Sequence, residues 1–231
     1  MIMFFFFFSV PYIAIIGDIV NSKKLDDRHA VQIKLKSLLK RIDEKYTDDS
    51  ASNFMITLGD EFQGLLKCGN NVMNIISEIE LEMYPIKMRF GIGLGSIETE
   101  INREIPLGAD GPAYHNARKM IEELKKLEKR NMANYSKMMI ATEGDNSDID
   151  MLLNSILSLC ATIQSKWTNR QREIIYSYIE NEKNQYETAD KLKIGQSSVN
   201  KALTGSGYYS YQKAIETVST ALSSVKGDHY V

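Results

Sequence analysis

Apolar and polar residues follow different spacings along this chain, and each change of spacing marks a new element. Almost every position from Met1 to Ile16 is apolar, ending in "YIAIIG", a run that reads as a buried strand over Tyr12 to Gly17. "RHAVQIKLKSLLKRIDEKY" (Arg28 to Tyr46) carries apolar residues three and four apart, as in a helix with one face on a core. Asp26 or Asp27 is available to cap it. "SNFMITLGDEFQGLLK" predicts two strands joined by a tight turn at Gly59 and Asp60. A helix follows from about Asn70 to Met83, closed by Pro85, and then a strand over Ile86 to Ile97. "GPAYHNARKMIEELKKLEKR" reads as a helix with Pro112 in its first turn, and "SKMMIAT" as a last short strand.

The order β-α-β-β-α-β-α-β predicts an α+β fold of the split βαβ, or ferredoxin-like, kind with one extra helix and strand. The polar stretch Glu143 to Asp148 then separates these elements from an all-helical tail. Three parts are expected: a domain over 1–142, a linker and connecting helix over 143–166 (the helix itself Asp150 to Lys166), and a helix-turn-helix domain over 167–231. In the tail, Thr168 can cap a helix with Ile174, Ile175, Tyr178 and Ile179 on its apolar side. Tyr186 to Leu192 would be the supporting helix, "KIG" the turn, and Gln196 to Leu203 the second helix. The spacing of Ala189, Leu192, Ile194, Val199 and Leu203 packs the two across that turn and leaves Gln196, Ser197, Asn200 and Lys201 facing outward. Such side chains can read base edges or hold the phosphate oxygens of double-stranded DNA; docking another protein is the alternative. "TGSGYYSYQKAI" reads as a wing or turn after the pair, with Tyr208 and Tyr209 in the core.

With 43% hydrophobic and 25% charged residues in 231, the composition excludes disordered and fibrous classes. Nine cationic residues stand against seven acidic ones from Lys166 onward, and 19 against 23 before it, so only the tail leans towards nucleic acid. Cys68 and Cys160 sit in apolar surroundings without metal-ligand spacing, as reduced thiols of a cytoplasmic protein do. The apolar start lacks a basic leader and cleavage site, and Pro11 breaks it short of the roughly 20 residues of a membrane span. No integral membrane segment is expected. The start reads as a strand with a hydrophobic extension, and Phe4 to Phe8 leave a peripheral membrane contact as an alternative.

Candidate chemistry begins at "IIGDIVNS" and "TLGDEFQG", where Asp18 ends the first strand and Asp60 occupies the hairpin turn. Each alone has an ordinary use as a turn former or helix cap. Neighbouring central strands would bring both to one end of the sheet, and two close carboxylates repel unless a divalent cation joins them. Mg2+ or Mn2+, with oxygen ligands and retained waters, suits such a pair. The backbone through Ile19, Val20, Asn21 and Ser22 can present N–H groups to a phosphate. Asp110 is placed to cap the helix at Pro112, and Arg89 and Arg118 are expected in ion pairs, with contact to a phosphate as the alternative. Glu61 is expected on the opposite sheet face, solvated. "GIGLG" lies within a strand and is no phosphate loop.

These stretches resemble the catalytic domain of the class III nucleotidyl cyclases over roughly Tyr12 to Thr142. "DIVNS" at Asp18 stands for that family's "DIVGF"-like stretch, and Asp60 follows about forty residues later in a "GD" hairpin. "RFGIGLGSI" matches a later strand, and "DGPAYHNARKM" falls where a "WGDTVNLAAR"-like helix opens. The resemblance implies two metals held by Asp18 and Asp60, a nucleoside triphosphate as ligand or substrate, and a site formed between the subunits of a homodimer. It also implies transition-state contacts from an asparagine and an arginine four residues apart, positions taken here by His115 and Lys119. Lysine supplies a point charge without the planar fork, and histidine does not replace an amide. The base-reading lysine and its acidic companion align with Ile56 and Gly108, so neither group is present.

With the helix-turn-helix added, "IIGDIVNS…LGDEFQGLL…RFGIGLGSI…GADGPAYHNARKM" resembles the SatD family, which pairs a cyclase-like domain with a DNA-binding tail. The expected function is a transcriptional regulator in which a nucleotide and Mg2+ or Mn2+ control the tail on DNA. An active two-metal nucleotidyl cyclase, or a catalytically dead dimerisation scaffold with a protein-docking tail, are the alternatives.

Overall fold

The computed structural model describes residues 12–105, 107–130 and 136–224. The expected hydrophobic extension and Phe4 to Phe8 lie outside the described residues. Five strands form one mixed sheet: β1 (Tyr12–Ile19), β2 (Ser50–Leu58), β3 (Glu61–Leu66), β4 (Met88–Gly95) and β5 (Met138–Thr142). Their order is β2-β3-β1-β4-β5, with β5 parallel to β4 and the other neighbours antiparallel. The helices are α1 (Arg28–Lys45), α2 (Val72–Met83), α3 (Pro112–Lys129), α4 (Ser147–Ser165), α5 (Asn169–Glu180), α6 (Gln185–Leu192), α7 (Gln196–Gly205) and α8 (Tyr208–Ser223). Among the described residues no helix is long and apolar enough to cross a membrane.

The continuous apolar run of β1 follows from its central place, because a strand covered on both faces has no polar side to show. Ile13, Ile15, Ile19, Phe62, Phe90 and Ile92 face α1, α2, α4 and α8, meeting Leu35, Leu38, Ile75, Ile79, Leu153, Leu157, Val218 and Leu222 in one large apolar cluster. On the other face α3 lies alone, setting Ala113, Tyr114, Ala117 and Ile121 against Ala14, Ile16 and Leu65. That layer is thin because β4 has glycine there. A Cβ on Gly91 would stand 2.1 Å from the Ala117 carbonyl oxygen, and one on Gly93 2.0 Å from that of Ala113. "GIGLG" thus serves close helix packing within a strand.

Both ends of the hairpin and the Asp27 cap agree with the expected elements; the Asp27 side chain accepts the Ala30 N–H at 2.9 Å. Thr168 caps α5 reciprocally with Gln171. α4 begins at Ser147, inside the stretch expected to be a gap, and covers the edge of β5. Asn154 exchanges two hydrogen bonds with the Ile140 backbone, at 2.8 and 2.7 Å, and Asp150 accepts the Thr142 N–H at 3.0 Å.

The tail differs from expectation after α7. "TGSGYYSYQKAI" is no wing: Ser206 and Gly207 turn the chain, and Tyr208 opens the 16-residue α8. Its apolar residues recur at helical spacing through Tyr211, Ile215, Val218 and Leu222, a pattern hidden at its start by flanking glycines. Tyr208 packs with Trp167, Ile174, Tyr178, Val199 and Leu203, whereas Val218 and Leu222 join the sheet's cluster. One helix therefore ties the tail to the sheet. Tyr209 is 43% exposed rather than core, its hydroxyl accepting from Gln185.

Candidate functional site

Asp18 is the last residue of β1 on the sheet face that α3 covers, one position before the strand ends at Ile19. In the antiparallel register it lies directly across from Glu61 on β3 and Arg89 on β4, so one charged row spans three strands. Residues directly opposite share a face, which corrects the expectation that Glu61 is solvated on the other side. Asp60 belongs to the turn; strand alternation starts at Glu61. The Glu61 side chain is only 16% exposed and lies 3.6 Å from Arg118 on α3.

Two cations meet Asp18 at the same oxygen: Arg89 Nη1 and Lys125 Nζ each lie 3.0 Å from Oδ2. Arg89 turns its other nitrogen to Glu128 at 3.4 Å. Neither contact at Asp18 Oδ2 has hydrogen-bond geometry, and Arg89 Nε is also unmatched. A carboxylate only 6% exposed requires this compensation, because an unpaired buried charge is strongly unfavourable. At the turn, Ser22 Oγ donates a hydrogen bond to Asp60 Oδ2, and Arg28 approaches its other oxygen at 4.0 Å.

Asp18, Ile19, Asn21, Ser22 and Asp60 line one open cavity of about 430 Å3, together with Glu61, Arg89, Lys125, Lys23 and Lys24. Four cationic side chains there face three carboxylates, the balance of a site for an anion that brings its own cation. The backbone is prepared unevenly. Ile19 N–H donates to the Asp60 carbonyl at 3.2 Å and Val20 N–H to the Lys87 carbonyl at 2.9 Å, so both are committed. Asn21 takes a left-handed conformation (φ 55°) ahead of the short 3-10 turn Ser22–Lys24, and its N–H and that of Ser22 lie beyond the ladder.

Among the described residues no three His, Cys, Asp or Glu side chains cluster as a closed ligand cage. Asp18 and Asp60 line one cavity, and Mg2+ is commonly held by one or two carboxylates with phosphate oxygens and water completing its shell, but Arg89 and Lys125 already stand at the Asp18 oxygen such an ion would take.

His115 and Lys119 do not line this cavity. Both are exposed on α3, with His115 Nε2 2.9 Å from Asp110 and Lys119 in the field of Asp150, whose carboxyl is raised by burial. Asp110 does not cap α3, since Gly111 takes that position. Sequence reasoning missed Lys125 and Glu128, although a signal existed: Ala113, Ala117 and Ile121 form the buried stripe of α3, and Lys125 is its next residue at the same spacing.

In the tail, residues 193–195 join α6 to α7, with Lys193 left-handed (φ 53°). Ala189, Val199 and Leu203 are buried between them. Ser197, Asn200 and Lys201 are exposed, while Gln196 is half-buried and donates to Gln185 at 2.6 Å. A further cavity of about 520 Å3 lies between α2, α5 and α8. Its acids Glu78, Glu180 and Glu216 are already paired with Lys45, Lys191 and Lys183, and Glu80 lies in the field of Lys137 and Arg172.

Residues 12–222 match the SatD family model. The chain belongs to the SatD family. The match runs from β1 to near the end of α8, so the charged cavity and the α6–α7 pair both fall within the family's extent. No curated protein matches the chain at a significant level.

Proposed function

We propose that this SatD-family protein is a nucleotide-responsive regulator: the cavity at the end of β1 binds a nucleotide through its phosphates together with Mg2+ or Mn2+, and the α6–α7 pair meets double-stranded DNA. The observation that carries the reading is the convergence of Asp18, Asp60, the left-handed turn at Asn21 and four cationic side chains on one cavity. Strand order 2-3-1-4 with antiparallel neighbours supports a ferredoxin-like, cyclase-like core to which β5 is added. Asp18 and Asp60 would hold the cation, which would neutralise phosphate charge when bound. Asn21 and Ser22 offer N–H groups, and Lys23, Lys24 and Arg89 offer charge to the phosphates. Ser197, Asn200 and Lys201 on α7 face DNA as a helix-turn-helix, and α8 connects that unit to the sheet, giving occupancy of one part a route to the other. His115 and Lys119 stand where the resemblance puts an asparagine and an arginine, and this change of residue type favours binding over catalysis. A cyclase-like homodimer in the cytoplasm, reading an inverted repeat, completes the proposal.

The test incubates the full chain with each ribonucleoside triphosphate and Mn2+, following melting temperature and product. One triphosphate at a hundredfold excess over its Kd should raise the melting temperature by roughly 5 to 10 °C without turnover. Turnover abolished by Asp18→Asn would make the protein an enzyme instead. Neither stabilisation nor product with any of the four would overturn the nucleotide reading.

A further inference from the structure

The two cations at Asp18 differ in how firmly they are held. Arg89 stands in the middle of the sheet, its side chain 8% exposed, with Glu128 on its far side. Lys125 comes from near the C-terminal end of α3 on a flexible stem and is 41% exposed. Both converge on one oxygen of Asp18 that no hydrogen bond holds. Mg2+ binds oxygen at about 2.0–2.1 Å. Two cationic groups already stand 3.0 Å from that atom, so a divalent cation can take it only if one of them withdraws.

We propose that Lys125 is a displaceable internal counter-ion: its ammonium holds Asp18 until a divalent cation arrives with phosphate, then is released into the cavity to meet the phosphate charge. Lys125 is the one of the two free to leave, because Arg89 is buried and held from its far side by Glu128, whereas Lys125 already reaches solvent. The exchange makes the bare cation a poor ligand, since it must evict a lysine that finds no new anion. Cation and phosphate together lose nothing, as the ammonium changes partner. The cavity is thereby selective for the complex over the free ion. This inference rests on the reading of Asp18 as a cation ligand, and the experiment separates the two.

Mn2+ is titrated alone into the full chain and bound metal followed by electron paramagnetic resonance, comparing wild type with Lys125→Met, Lys125→Arg, Asp18→Asn and the Asp18→Asn/Lys125→Met double variant. Lys125→Met should bind Mn2+ on the order of tenfold more tightly than wild type. Lys125→Arg should stay near wild type, and the double variant should lose the gain. A cooperative unfolding transition of Lys125→Met without metal, at whatever temperature, confirms the fold. Equal Mn2+ affinity in Lys125→Met and wild type, with binding weakened by Asp18→Asn, overturns the counter-ion and leaves the site reading intact. Mn2+ binding indifferent to Asp18→Asn, or no binding in any variant, overturns both.

Discussion

The two faces of the sheet are built on opposite plans. One carries four helices over a deep apolar layer of isoleucine, leucine, phenylalanine and methionine. The other carries α3 alone, drawn so close by Gly91 and Gly93 that alanines and backbone make the contact. Thickness and charge vary inversely: the deep face holds the molecule together, and the thin face ends in the row Glu61, Asp18 and Arg89. A helix held this near the sheet can place Lys125 and Glu128 against residues of a central strand, which a thick layer of side chains would prevent. The site is thus a consequence of the glycines as much as of the acids.

Two substitutions test this contrast. The largest effect is expected from Gly93→Val, because the new Cβ meets the Ala113 carbonyl oxygen and the Ala117 N, which are backbone atoms that no rotamer relieves. The expected loss is about 4 kcal/mol or more in denaturant unfolding. Ile79→Ala removes side-chain volume from the deep face and should cost about 3 kcal/mol, within the usual range for such a deletion. A Gly93→Val cost below that of Ile79→Ala would show that α3 slides freely, and the contrast between the faces would fail.

The smallest effect concerns Asp43, half-buried on α1, where burial pushes the carboxyl up from 3.8 to about 6 against the lowering effect of the Phe54 N–H it accepts at 2.8 Å. The folded protein then holds a proton that the unfolded chain releases, so stability falls as pH rises from 3.8 through about 6 and is level above. Asp43→Asn should flatten that slope and add about 1 kcal/mol at neutral pH, after allowing for solvent screening. An unchanged slope in urea unfolding between these pH values would assign it to another group.

Much of the site was legible before any coordinates. Asp18 and Asp60 stand at element ends that hydrophobic spacing alone locates, and the turn at Asn21 and Ser22 follows directly. Glu61 was misplaced because alternation was counted from Asp60, a turn residue, instead of from the first residue of β3. Ile19 and Val20 fall in the right place, but the carbonyls that occupy their N–H groups come from residues remote in the chain, Asp60 in the hairpin turn and Lys87 just before β4. Lys125 was readable only as an anomaly, a lysine continuing the buried stripe of α3. Its partner was beyond reach, since nothing local to a helix tells which strand lies beneath its last turn.

The chain by itself determined the kinds of element, their order and most of their bounds, because helix and strand spacing are written within a few residues of one another. It also determined family membership, carried by motifs that keep their order over most of its length. Tertiary structure alone decided that Asp18 faces two cations, that α8 returns to the sheet, and that His115 and Lys119 stand apart from the cavity. Those facts depend on register and on the distance between packed layers, and both emerge only when segments remote in the chain settle into a single core.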